Sequence, residues 1–264
     1  MTTFLKKIID DVCKELNINY KTISDEYIII LEKNGVRRYL NEYLFGLNNE
    51  VSGLLCKDKY AMYELLKENN IPVIEYKLIW HPGNNNDDFD NKLNELCNYF
   101  DKYHHLVMKD NLGSGGLNVY QIKDKKDIKN TFLKLLHDTK SIVVNPYYDI
   151  KKEYRLVYLN SICRLLFSKE PSNQGWQCNL SKGSITSKEI SNDIKDKLLN
   201  IANNTNRVLQ TKFVCIDIIE DYHNNFYVIE VNNHVTLAKY VEQHQEDYEL
   251  VKNIYKDAIL ELFN

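Results

Sequence analysis

Residues 213–233, FVCIDIIEDYHNNFYVIEVNN, constrain this chain more than any other segment. Two apolar-rich runs flank a polar turn at His223-Asn224, so they read as an antiparallel hairpin. With the turn centred there, Ile218 pairs with Ile229 and Ile216 with Val231, giving an apolar face. The other face sets Asp217 opposite Glu230, with Asn232 two residues along on the same side. Facing carboxylates destabilise a bare hairpin. A divalent cation reverses that sign, and carboxylate and amide oxygens are hard ligands of the kind Mg²⁺ takes. An ordinary exposed hairpin with scattered acids is the plain alternative.

A second segment, VMKDNLGSGGLNVYQI at 107–122, places Lys109 at a strand end before Gly113-Ser114-Gly115-Gly116. Backbone N–H groups in such a turn approach phosphate oxygens unobstructed, and a lysine adds a point charge. The order is lysine then glycines, with no helix directly after, so this is not a Walker loop. A flexible hairpin tip accounts for the same residues. Elsewhere, periodicity predicts helices over 1–16, 58–70 (entered at Asp58), 125–138, 188–209 and 246–263, and one more that the loop 81–90 runs into, with Phe89, Leu93, Leu96, Cys97 and Phe100 on one side. Strands are expected at 20–31, 73–80, 105–110, 117–122, 141–145, 153–159 and 162–168, beside the two of the hairpin. The mixture is α+β, with mainly antiparallel pairs.

Composition excludes several functions. The chain has 264 residues, 34 Lys+Arg and 37 Asp+Glu, for a net charge of −3. No global field attracts nucleic acid or an anionic membrane, and no apolar run nears the ~20 residues of a membrane helix. The start, MTTFLKKIIDD, is not a signal peptide. The six cysteines lack paired spacing, so reduced thiols and a cytoplasmic location are expected.

Taken in order, four segments over about residues 56–264 resemble the ATP-grasp superfamily of carboxylate–amine ligases. CKDKYAMYELLKENNIPVI resembles its entry helix, VMKDNLGSGG its strand lysine and glycine loop, VVNPYYDIKKEYRLVYL its hinge and following strand, and FVCIDII…FYVIEVNN its metal motif. The nearest likeness is to cyanophycin-synthetase-like, glutathione-synthetase-like and peptide–glutamate ligases, through Glu-Tyr-Arg and SKEP…Asn179…Gly183. The resemblance implies two α+β lobes with antiparallel sheets holding ATP between them. It implies a small lobe over 72–145, a metal-binding lobe over 146–264, and residues 1–55 as a reduced preceding domain. It implies that Lys59 and Lys109 hold phosphates with the loop Gly113, Ser114, Gly115 and Gly116, which closes as a lid. Tyr147 and Tyr148 would bond adenine through backbone groups, and Glu153 would accept from the ribose. Arg155 and Lys169 would face the transferred phosphoryl group. Asn179 would lie near the metals or the acceptor. Asp217, Glu230 and Asn232 would hold two Mg²⁺ ions, with Mn²⁺ as a substitute.

The implied reaction is amide formation through an acyl-phosphate, with release of ADP and phosphate. Small-molecule or peptide carboxylates and amines are the implied partners, and a homodimer or partner chain completing the substrate site stays open. A kinase acting on a small-molecule hydroxyl and a non-catalytic nucleotide-binding regulator are the rival readings. The kinase would need more basic groups than Arg155, Arg164, Lys169 and Lys182. No histidine is expected near the carboxylates, and His104, His105 and His234 read as non-ligands. Two departures stand out. Pro146 occupies a hinge position that is often acidic, and Cys215 replaces an arginine found in some members, which argues against the D-alanine–D-alanine ligase subgroup.

Overall fold

A computed structural model describes residues 1–83, 85–170, 176, 178–180 and 183–264. Its order begins α1 (Thr3–Leu16), β1 (Asn19–Ile23), β2 (Ile28–Lys33), β3 (Val36–Asn41), α2 (Glu50–Lys57) and α3 (Lys59–Glu68). It continues β4 (Lys77–Trp80), α4 (Asn86–Tyr103), β5 (Leu106–Asp110), β6 (Val119–Ile122), α5 (Asp127–Asp138) and β7 (Ser141–Pro146). Then come β8 (Ile150–Leu159), β9 (Ile162–Glu170), β10 (Ile185–Ser187), α6 (Asn192–Leu209), β11 (Phe213–Asp221), β12 (Phe226–Asn232), α7 (Ala238–Gln243) and α8 (Tyr248–Glu261). No helix among the described residues is long and apolar enough to cross a membrane.

The strands form three antiparallel sheets, ordered β1-β2-β3, β4-β7-β5-β6 and β10-β9-β8-β11-β12. The period of two explains how each is covered. Leu106, Met108, Ile142 and Val144 turn one face of the four-stranded sheet onto Leu96 and Phe100 of α4 and Phe132 of α5. Lys109, Val107, Val143 and Asn145 are left on its other face. In the five-stranded sheet, Leu156, Ile216 and Ile218 pack under α3 and α6. On the reverse face, Val157, Phe167, Phe213 and Cys215 join α1, α8 and the N-terminal strands in a second core. An apolar seam of Tyr63, Ile74, Tyr76, Val143 and Ile219 joins the two larger sheets.

The hairpin differs from the expected register in one respect. Asp217 faces Glu230 and Ile216 faces Val231, but Ile218 faces Val228, not Ile229. A bulge inserts one extra residue into β12, because the ladder closes on Asp221 and Asn225. Ile229 therefore lies beside the cleft, not in the apolar layer with Ile218. The strand expected at 73–80 is also divided. Ile74 donates to Val228 and Val228 to Pro72, so this stretch is tied to β12 before β4 begins at Lys77. The short elements α2, α7 and β10 were not foreseen; Ser52 and Gly53 depress the helical signal of α2, which Asn49 caps through Ser52 N at 2.8 Å.

Residues 1–55 share the second core. Phe45 is 1% exposed and sits between Phe213 and Tyr255, at ring-centroid distances of 5.2 and 5.7 Å. Phe45→Ala is expected to cost about 3–5 kcal/mol, read as a lower urea midpoint in one cooperative transition. A loss below about 1 kcal/mol would show that this segment does not contribute to the common core.

Candidate active site

The free face of the four-stranded sheet and the polar half of the five-stranded sheet enclose a cleft of about 680 Å³. Lys59, Lys109, Gly113, Ser114, Gly115, Gly116, Tyr147, Tyr148, Glu153, Arg155, Lys169, Asn179, Asp217, Glu230 and Asn232 all line it. Residues far apart in the sequence thus meet in one place.

Cross-strand register builds the charged wall. Lys169 lies opposite Glu153, Arg155 opposite Asp217, and Asp217 opposite Glu230. Arg155 grips Asp217 with two bonds, Nε to Oδ1 at 2.8 Å and Nη2 to Oδ2 at 2.6 Å. Lys169 adds a bond to Asp217 Oδ1 at 3.3 Å and an ion pair with Glu153. Burial favours the neutral acid at Asp217, but Arg155 and Lys169 outweigh it and hold the carboxyl at about 2. Burial pushes Glu153 up, against the pull of Lys169. The repulsion between Asp217 and Glu230 is therefore offset partly by the protein's own cations. Glu230 and Asn232 make no side-chain hydrogen bond among the described residues, and they carry hard oxygens beside Asp217.

Lys59 and Asp58 act as a pair. Asp58 caps α3 by accepting from Tyr60 N and Ala61 N, and Asn111 Nδ2 donates to the same carboxylate. Lys59 Nζ donates to the carbonyls of Asn111 and Gly113, so two of its three donors hold the start of the glycine loop. Asn179 Nδ2 also donates to Gly115 O at 2.7 Å, joining the loop to the opposite lobe. A Cβ at Gly113 would come within 2.9 Å of Asp110 Cβ, and Gly115 has φ +67°, so both positions need glycine.

Lys109 is buried, and its Nζ donates to Tyr76 Oη at 2.7 Å, which in turn donates to Ile229 O at 3.1 Å. Burial, reinforced by nearby Lys59, brings the Lys109 ammonium down to about 7. At the hinge, Tyr147 N–H donates to His105 O at 2.9 Å, so it is not available to a base. The expectation for Tyr147 narrows to its other groups, because the ladder between β5 and β7 extends one residue past Pro146. Tyr148 N–H has no partner among the described residues, and its hydroxyl accepts from Glu75 N at 3.2 Å.

Several lining residues escaped the sequence reading. Ile219, Ile229, Val107 and Ile150 form apolar walls, and Trp176 lies 6.1 Å from Tyr147 between ring centroids. Nothing in an isolated sequence marks these as site residues. The N-terminal segment contributes Glu42 and Tyr43, and His234 lines the same cleft, contrary to expectation. It was missed because its place depends on the turn after β12. Burial and nearby Lys57 lower the affinity of His234 for a proton. Arg164 instead pairs with Asp257 at 2.6 Å, away from the cleft. Pro171 and Lys182 lie outside the described residues.

A family profile for the RimK-like ATP-grasp domain matches residues 56–254. The chain belongs to that family. None of the curated proteins matches it in sequence. Its fold is similar to that of D-alanyl-alanine synthetase A from Vibrio cholerae O1 biovar eltor, with a TM-score of 0.71 at 9% identity over 99% of this chain and 93% of that one. D-alanine–D-alanine ligase from Bacillus anthracis, complexed with ATP, gives 0.61 at 18% identity over 81% and 68%. The ATP-grasp ligase PsnB, complexed with a phosphomimetic variant of minimal precursor, Mg and ADP, gives 0.58 at 12% identity over 83% and 62%. At these identities the likeness is one of fold.

The depressed Lys109 gives a testable linkage. Its proton affinity in the folded chain is about 7 against a reference of 10.5, so this group disfavours folding increasingly as pH falls from 10.5 to 7. A polyphosphate anion placed against this side chain would restore the charge. ATP binding at pH 8 should therefore take up about one proton per nucleotide. Calorimetry in buffers of different ionisation enthalpy measures this; Lys109→Met should abolish the uptake. Enthalpies independent of buffer would remove Lys109 from the phosphate site.

Proposed function

We propose that this RimK-like ATP-grasp protein is an ADP-forming carboxylate–amine ligase. The observation that carries this reading is the convergence of Lys59, Lys109, Arg155 and Lys169 with Asp217, Glu230 and Asn232 on one cleft beneath a glycine loop. Phosphoryl transfer needs positioning and charge neutralisation more than a nucleophilic side chain, and this lining supplies both.

ATP takes the space between the sheets, with its phosphates against Lys109, the loop Gly113–Gly116 and the remaining donor of Lys59. Glu153 faces the ribose, and Tyr148 N–H faces the base. Asp217, Glu230 and Asn232 fit Mg²⁺ by donor chemistry, and two ions there would screen the phosphate charges. A substrate carboxylate oxygen attacks the γ-phosphorus, and the bond to the β-phosphate oxygen breaks to release ADP. Arg155 and Lys169 offset the charge on the transferred group. The amine nitrogen then attacks the acyl carbon, its proton passes to the departing phosphate, and phosphate leaves with the carbon–oxygen bonding pair. Closure of the loop against Asn179 keeps water from the acyl-phosphate. Residues 1–55 act as a reduced preceding domain that completes the substrate end through Glu42 and Tyr43.

His234 favours a second reading. Uncharged at neutral pH, it has the chemistry of a base for a hydroxyl acceptor in the kinase alternative. Hydroxylamine separates the two. With a panel of amino-acid and peptide carboxylates and Mg²⁺–ATP, the ligase accumulates hydroxamate together with ADP. A stable phosphomonoester without hydroxamate would establish the kinase instead. Glu230→Gln should retain the fold, because this side chain is only partly buried, and reduce turnover at least about a hundredfold. Near-wild-type turnover would remove Glu230 from the metal set.

A further inference from the structure

Both oxygens of Asp217 are engaged by the protein's own cations. Arg155 donates one hydrogen bond to each, at 2.8 and 2.6 Å, and Lys169 adds a third to Oδ1 at 3.3 Å. An ionised carboxylate has about four acceptor positions, so most of this one is taken. The Asp217 side chain is 2% exposed and that of Arg155 18%. Glu230 and Asn232 differ: both are partly exposed and line the cleft, with no side-chain hydrogen bond among the described residues. One member of the oxygen set is therefore closed and two are open.

The two cations on Asp217 are not equally fixed. Lys169 is buried and pinned between Glu153 and Asp217. Arg155 hydrogen-bonds to no other side chain among the described residues, and this contact uses only two of its five N–H donors. A divalent ion on the same oxygens would meet the guanidinium at ion-pair distance, where like charges repel strongly. Parting a buried pair is costly unless each member gains a new partner. A metal ion alone would serve Asp217 and strand Arg155. A free triphosphate would serve Arg155 and leave Asp217 without its fork. A metal–nucleotide complex serves both.

We propose that Arg155 blocks the carboxylate of Asp217 and gives it up for the transferring phosphate, so that Asp217 joins the metal set only when metal and nucleotide arrive together. This rests on the metal and nucleotide reading above. It makes the two ligands cooperative, each raising the affinity for the other by the same factor.

The test measures Mn²⁺ binding without nucleotide, from the paramagnetic resonance signal of the free ion. The wild-type protein should bind Mn²⁺ more weakly than about 0.1 mM. Arg155→Gln, in which Lys169 still holds Asp217, should bind it at least about tenfold more tightly than the wild type, and Arg155→Lys, which keeps the charge without the fork, should fall between. Adding Asp217→Asn to Arg155→Gln should remove the gain. A merely structural Arg155 would loosen the fold without improving Mn²⁺ binding, and equal affinity in the folded variant overturns the proposal. So does a gain that survives Asp217→Asn. So does wild-type binding of Mn²⁺ alone tighter than about 0.1 mM, a measurement that needs no variant to fold. Calorimetry of the β,γ-imido analogue of ATP with Mg²⁺ on the wild type separates the two readings. If the analogue binds and any overturning result is found, the blocking role fails and the nucleotide reading stands; if the analogue does not bind, both fail.

Discussion

The buried pair between Arg155 and Asp217 is the contact on which the site depends. Two charges leave water on one sheet face, and the loss of either partner strands the other, at a typical cost of about 3–5 kcal/mol. Only one register of β8 against β11 brings them opposite each other. The same register sets Glu153 beside Lys169 and continues Asp217 towards Glu230. Below this band the face becomes apolar, with Val157 and Cys215 opposite each other in the core. The strands are therefore anchored by a core at one end and by charge at the other.

The second lobe meets this wall through a mixed contact. Tyr76 links Lys109 to the backbone of Ile229, and the surrounding seam is apolar. Around the glycine loop the contact is polar, made by Lys59 on one side and Asn179 on the other. Apolar seams resist parting without regard to direction, whereas single bonds to loop carbonyls exchange readily with water. The arrangement holds the lobes together and leaves the loop free to exchange its partners.

Much of the fold was legible in the sequence because its signals are local. The Asp58 cap, the helical period of α1, the strands either side of 160–161 and the alternation across Asp217 each depend on neighbouring residues. The residues that line the cleft could be singled out because carboxylates, lysines and glycines carry distinctive chemistry, and a family resemblance ordered them. The missed features depend on tertiary context. Tyr147 lost its N–H to a ladder with a distant strand, and His234 reached the cleft through the turn after β12. The walls Ile219 and Ile229 are indistinguishable in sequence from core residues. The bulge in β12 is set by where the turn closes, and a count from the centre of the polar stretch misses that by one residue.

That bulge has a consequence for how the hairpin can vary. In an unbroken ladder, one residue gained or lost at the tip reverses every side chain on that strand. Here the extra residue lies between the tip and the carboxylates, with Asp217 still facing Glu230. A single deletion within 222–225 can be absorbed where Ile218 meets Val228, restoring the regular ladder. The tip is thereby released from the geometry of the charged wall and can drift in length and composition while Asp217, Glu230 and Asn232 keep their places.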